Sequence, residues 1–126
     1  MVIKNRICTI ILIFAMFNFN VSPAEAVSKA AYKSYASTYM KNNYGWGSKQ
    51  YGCLVTLWDR ESNWNPKAHN KSSGAHGIPQ ALPGKKMGKG WRTDAHVQIR
   101  WGLKYIKGRY DTPCRALKHS NKKGWY

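Results

Sequence analysis

The sequence has 126 residues, with 21 Lys or Arg against only 5 Asp or Glu, for a net charge of +16. That length supports one small domain with a modest core. The charge favours a polyanionic partner and fast electrostatic capture. The cysteines and the four scattered histidines fall into no metal-ligand spacing, which excludes a recognisable metal centre, and no cofactor is expected.

Residues 1–26 read as a secretory leader. Lys4 and Arg6 give the positive start, Ile7 to Phe19 the apolar run, and Ala24-Glu25-Ala26 an A-x-A cleavage site. The run is shorter than the roughly 20 residues that span a bilayer. An uncleaved anchor is the competing reading. Cleavage leaves residues 27–126 as the working domain, with 19 basic and 4 acidic residues and a net charge of +15. The location expected is outside the cell or at its wall. Nucleic acid is the usual partner for such a charge, but export argues against it and favours an anionic wall polymer. A role in solubility alone is the blander alternative. Cys53 and Cys114 remain after cleavage, an even count that suggests a disulfide in an exported domain, with two free thiols as the alternative.

Along the chain, Ala30 to Tyr44 reads as a first helix, with Tyr32, Tyr35, Ala36 and Tyr39 near one face, ending at Gly45-Trp46-Gly47. Ser48 is a candidate N-cap for a second helix over 49–62. Leu54, Leu57, Trp58 and Glu61 recur at i, i+3, i+4 and i+7, so they share one helix face. A carboxylate on that stripe has its charged form disfavoured by desolvation. A carboxylic acid still protonated near neutral pH is what a glycosidic leaving group needs. A solvated or Lys-paired glutamate is the alternative.

Residues 65–90 are dense in Asn, Ser, Gly and Pro and predict an irregular loop with a short hairpin. Thr93-Asp94 caps a third helix to about Arg109, with Ile99, Leu103, Ile106 and Tyr110 as one stripe and Val97, Trp101 and Tyr105 as a second. Thr112 and Pro113 open a last helix to about His119. In the polar tail, Trp125-Tyr126 is placed to fold back. No repeat and no second domain emerges. The class is mainly α, with helices around a loop insert.

No serine and histidine share a triad spacing. A retaining glycosidase holds its second carboxylate about 5–5.5 Å from the acid. Asp59, Asp94 and Asp111 are poor candidates: a different helix face, a helix start and a turn. Glu61 thus stands alone, which suits cleavage in which the substrate supplies its own nucleophile. Trp46, Trp58, Trp64 and Trp91 offer flat faces for sugar rings, in competition with core packing.

Two runs carry a resemblance. Glu61-Ser62-Asn63-Trp64-Asn65-Pro66-Lys67-Ala68 and Ser73-Gly74-Ala75-His76-Gly77-Ile78-Pro79-Gln80-Ala81-Leu82-Pro83 resemble the E-S-x-x-N-P-x-A and G-A-x-G-[LI]-x-Q-x-x-P motifs of the soluble lytic transglycosylase family, within a subgroup of small secreted members. The resemblance implies a lysozyme-like (α+β superfamily) fold and cleavage of the MurNAc–GlcNAc bond of peptidoglycan, leaving 1,6-anhydro ends. It implies Glu61 as the one catalytic acid/base, Ser62 as its support, and Ser73, Gly74, Ala75, Gly77 and Gln80 as substrate-binding positions. It also implies glycan strands as the partner of a monomer. The chain departs from the family at Lys71, where a serine is common, and at Pro79. At Ala116-Leu117-Lys118 the expected tyrosine is missing, and Tyr105 and Tyr110 are its unassigned substitutes. A hydrolytic muramidase and a non-enzymatic cationic wall-binding or bactericidal protein are the alternative functions.

Overall fold

The computed structural model describes residues 22–126, so the positive start and apolar run of the expected leader lie outside the described residues. The first helix, α1 (Pro23–Tyr44), begins well before the expected Ala30. The cause is a capping box that apolar periodicity does not reveal. The Glu25 N–H donates to Ser22 Oγ at 3.1 Å and the Ser22 N–H to Glu25 Oε2 at 3.3 Å, with Pro23 pre-set for the first turn. The residues of the expected cleavage site thus form the exposed first turn of α1. Gly45, at φ 68°, closes the helix in the left-handed conformation.

The second helix, α2 (Ser48–Ser62), starts with Gly47 as N-cap and Ser48 already helical, so the expected serine cap does not form. It ends where Asn63 and Trp64 turn left-handed, at φ 53° and 57°. The third helix, α3 (Ala95–Tyr110), is capped as expected: the Asp94 carboxylate accepts from the His96 and Val97 amides at 3.0 and 3.2 Å. The fourth, α4 (Pro113–Lys123), opens with the Thr112 cap and runs on to Lys123 rather than stopping at His119. Between α2 and α3 the chain is irregular apart from a 3₁₀ turn at Gly84–Met87. The expected hairpin reduces to two isolated antiparallel bridges, His69 with His76 and His76 with Ala81. Among the described residues there are four α-helices and no strand, so the fold is mainly helical.

Leu54, Leu57 and Trp58 of α2 and Ile99, Leu103 and Ile106 of α3 are each fully buried and belong to one core cluster. Ala36 and Met40 of α1, Trp64, Ile78 and Ala116 complete this core. The first predicted stripe of α3 is therefore the packed one. The second, Val97, Trp101 and Tyr105, is only half-buried and faces outward. Close approach of α3 to Trp58 depends on Gly102, where a Cβ would lie 2.6 Å from the indole and 2.9 Å from Pro79. Among the described residues no helix is long and apolar enough to cross a membrane.

Cys53 and Cys114 are joined in a disulfide that ties α2 to α4 across 61 residues of sequence. A loop of that size is worth roughly 4 kcal/mol in the chain-entropy treatment. For a domain of this size that corresponds to a fall in Tm of about 15–30 °C on reduction. Thermal unfolding followed with and without reductant checks it; a shift of only a degree or two would mean the bridge constrains little.

Candidate active site

Glu61 sits in the last turn of α2, one helical turn beyond Leu57 and Trp58. The buried stripe brings its carboxyl group to a half-buried position. Burial raises its pKa above the ordinary carboxylate value. No ion pair or hydrogen bond holds it among the described residues. The ion pairs there are Lys33–Asp59, Lys107–Asp111 and Arg115–Asp111. The Lys-paired alternative for Glu61 is thereby removed. Every other described acid is occupied: Glu25 in the α1 capping box, Asp94 at the start of α3, and Asp59 and Asp111 with cations. No second carboxylate is left free to work beside Glu61.

The ground around Glu61 is built by three polar anchors. Ser62 Oγ donates to the Ile78 carbonyl at 2.7 Å, which pins the loop to the end of α2. Gln98, fully buried in α3, accepts from the Ile78 N–H at 2.9 Å through Oε1. Its amide nitrogen donates to the carbonyls of Pro66 and Trp91 at 2.9 and 2.7 Å. Gly77, at φ 79°, makes room for it, since a Cβ there would lie 2.5 Å from the Gln98 side chain. The third anchor is Tyr126. Its hydroxyl accepts from Trp58 Nε1 and donates to the Pro79 carbonyl, both at 2.9 Å. Burial pushes this phenol well above its ordinary pKa, and the nearby Glu61 charge pushes it further. Tyr126 also forms part of the wall of a cleft with Pro79, Gln80, Leu82, Trp101 and Tyr105. One residue thus lies within electrostatic reach of Glu61 and in the wall of the neighbouring cleft.

The sequence-predicted residues divide accordingly. Ser62 and Gly77 shape the loop beside Glu61. Gln80, with its backbone at φ 54°, lines the cleft but turns its amide nitrogen back onto the Ala68 and Gly77 carbonyls at 3.1 and 3.0 Å. Ser73, Gly74 and Ala75 do not line that cleft; they form the turn where Ser73 Oγ accepts from the Ala75 N–H at 3.2 Å, with Gly74 next to the wall residue Leu82. Three of the four proposed sugar platforms are core: Trp46 is 7% exposed and Trp58 and Trp64 are 0%. Trp91 is half-buried and covered by Arg92, whose guanidinium lies 4.4 Å from the ring centroid. The half-exposed Trp101 and Tyr105 line the cleft instead. Glu61 itself lines neither that cleft nor a separate hollow between the first turns of α1 and Trp64–Lys67.

Gln98 was missed by motif reasoning; the expected fold-back of the tail is seen at Tyr126, while Trp125 stays exposed, but the role of Tyr126 beside Glu61 was not foreseen. Gln98 announces itself only as a polar residue between two apolar stripes, and Tyr126 only as the apolar end of a polar tail. No protein-family model, curated protein or solved structure matches the chain. The fold and site define a small, disulfide-closed, mainly helical domain with one half-buried, unpaired carboxyl group beside a cleft.

Two outcomes follow for the anchors. Gln98→Leu strands one amide and two carbonyls, each costing about 1–3 kcal/mol where water does not reach it. Denaturant unfolding is expected to register a loss of at least about 2 kcal/mol; a neutral result would mean the loop is held without this residue. Tyr126→Phe removes the hydroxyl that joins Trp58 to Pro79 and lets water nearer Glu61. The Glu61 carboxyl titration, read by carbon NMR, is expected to move down toward the ordinary value. An unchanged titration would remove Tyr126 from the account of the raised pKa.

Proposed function

We propose that the protein is a secreted peptidoglycan lytic transglycosylase of lysozyme-like fold, cleaving the MurNAc–GlcNAc bond and leaving 1,6-anhydro ends. The observation that carries this reading is Glu61: half-buried, unpaired, its pKa raised by burial, with no free carboxylate beside it. The resemblance of residues 61–68 and 73–83 to the family motifs supports the same assignment.

The chemistry follows from one acid used twice. Protonated Glu61 gives its proton to the glycosidic oxygen as the C1–O bond breaks. The resulting carboxylate accepts the proton of the C6 hydroxyl as O6 bonds to C1, which closes the anhydro ring and restores the acid. No water is consumed and no second carboxylate is needed. The raised pKa keeps the proton in place for the first step. Tyr126 is not the proton carrier in this scheme, because its hydroxyl is committed to Trp58 and Pro79. Its part is to fix Trp58 and the loop at Pro79. The disulfide fits an oxidising, extracellular setting.

Glu61→Gln is expected to lower peptidoglycan digestion by about 10²–10⁴-fold or more. Mass spectrometry of the wild-type digest should give anhydro ends; reducing ends would mean a muramidase that uses water. Lysis that survives the substitution would leave a cationic, non-enzymatic agent. Activity should fall as pH rises through the raised Glu61 pKa. Stability carries the same sign: a carboxyl raised by burial contributes fully below the ordinary carboxylate range and loses that contribution as pH rises through the folded value. Glu61→Gln should therefore match the wild type in acid and exceed it in Tm at neutral pH.

A further inference from the structure

The cleft at Gln80 and Tyr126 continues along the outer face of α3. Three adjoining hollows share Trp101 as a wall. Trp101 and Tyr105 stack there at 5.3 Å between centroids with their planes 10° apart. Trp101, Tyr105 and Arg109 follow one another at i, i+4 and i+8, a row of about 12 Å along the helix. Arg100 and Lys104 form a parallel row beside it, and Lys86 borders the cleft from the 3₁₀ turn. None of these four cations pairs with a carboxylate; the described ion pairs all lie elsewhere. Two of them are aimed by tyrosines: Arg100 donates to Tyr35 Oη at 2.9 Å and Arg109 to Tyr110 Oη at 3.3 Å.

An aromatic wall alone suits a neutral sugar, and a row of cations alone suits any polyanion. The two side by side suit a sugar chain that carries acids. We propose that this strip is an extension of the cleft that selects glycan strands bearing free carboxylates, such as those of attached peptides, over the same strands with the carboxylates masked. Sugar rings lie on Trp101 and Tyr105, and the carboxylates meet Lys86, Lys104 and Arg109. The inference rests on the reading of the cleft as a glycan site, and it adds a charge preference that the one-acid mechanism does not require. Clustered like charges on one helix face are left unneutralised until such a strand arrives.

The test is equilibrium binding to the Glu61→Gln chain, which holds substrate without turnover. The probes are a peptide-bearing glycan strand, the same strand with its carboxylates amidated, a neutral N-acetylglucosamine oligomer and a single-stranded oligonucleotide. The acid-bearing strand should bind about tenfold more tightly than its amidated form at low salt, the return of a few exposed ion pairs. The preference should fade as salt shortens the reach of the charges. The double variant Lys86→Gln/Lys104→Gln should lose the preference while binding the amidated strand as before, and Trp101→Ala should weaken both strands. Equal binding of the two strands, an unchanged preference in the double variant, no binding of either strand, or tighter binding of the oligonucleotide would overturn the proposal. Digestion by the wild-type chain is read separately. A charge preference without cleavage sinks the transglycosylase reading and keeps the surface, and cleavage without preference does the reverse.

Discussion

The hydroxyl of Tyr126 joins parts of the chain that are far apart in sequence. It accepts from Trp58 in α2 and donates to Pro79 in the loop, while its ring packs on Tyr105 and Tyr110. Trp58 is fully buried and occupies the space that Gly102 leaves open in α3. One phenol thereby satisfies a buried indole N–H and a backbone carbonyl together, groups that are costly to leave unpaired. The raised pKa of Glu61 is a consequence of burial, not of a charged neighbour.

The loop between α2 and α3 is irregular apart from the 3₁₀ turn at Gly84–Met87 and two isolated bridges, yet it is tied at many points. Its backbone polar groups are met partly by one another, as in Asn70 with Ala75, His76 with Ala81 and Gly77 with Ala68, and partly by side chains: Ser62 and Gln98 on Ile78, Gln98 again on Pro66 and Trp91, and Gln80 on Ala68 and Gly77. A buried amide side chain can serve a donor and two acceptors at once, which suits a chain that changes direction every few residues. The left-handed residues Asn63, Trp64 and Gln80 mark the sharpest of those changes.

Charge is organised by scarcity. Few carboxylates stand against many cations, and nearly every described carboxylate has a structural task, so the cations outnumber their internal partners. Those on the outer face of α3 lie beside half-exposed aromatic rings next to the cleft. The one carboxyl group without a partner lies where the protein is drier. The surface is left cationic.

The sequence by itself determined the helical class, the stripes Leu54–Leu57–Trp58–Glu61 and Ile99–Leu103–Ile106, and the caps at Asp94 and Thr112. These are properties of spacing along one helix or of a single turn, and such local physics is legible in order of residues. It also singled out Glu61, because a lone acid on an apolar stripe is visible without coordinates. Tertiary structure alone decided which aromatic residues became core and which became wall: Trp58 and Trp64, offered as sugar faces, went inside, and Trp101, read as part of a packing stripe, stayed at the cleft. It decided that the expected hairpin would be two isolated bridges, and that Gln98 and Tyr126 would complete the surroundings of Glu61. Those outcomes depend on contacts between segments dozens of residues apart. Nothing in the local pattern records which distant carbonyl a buried amide or phenol will meet.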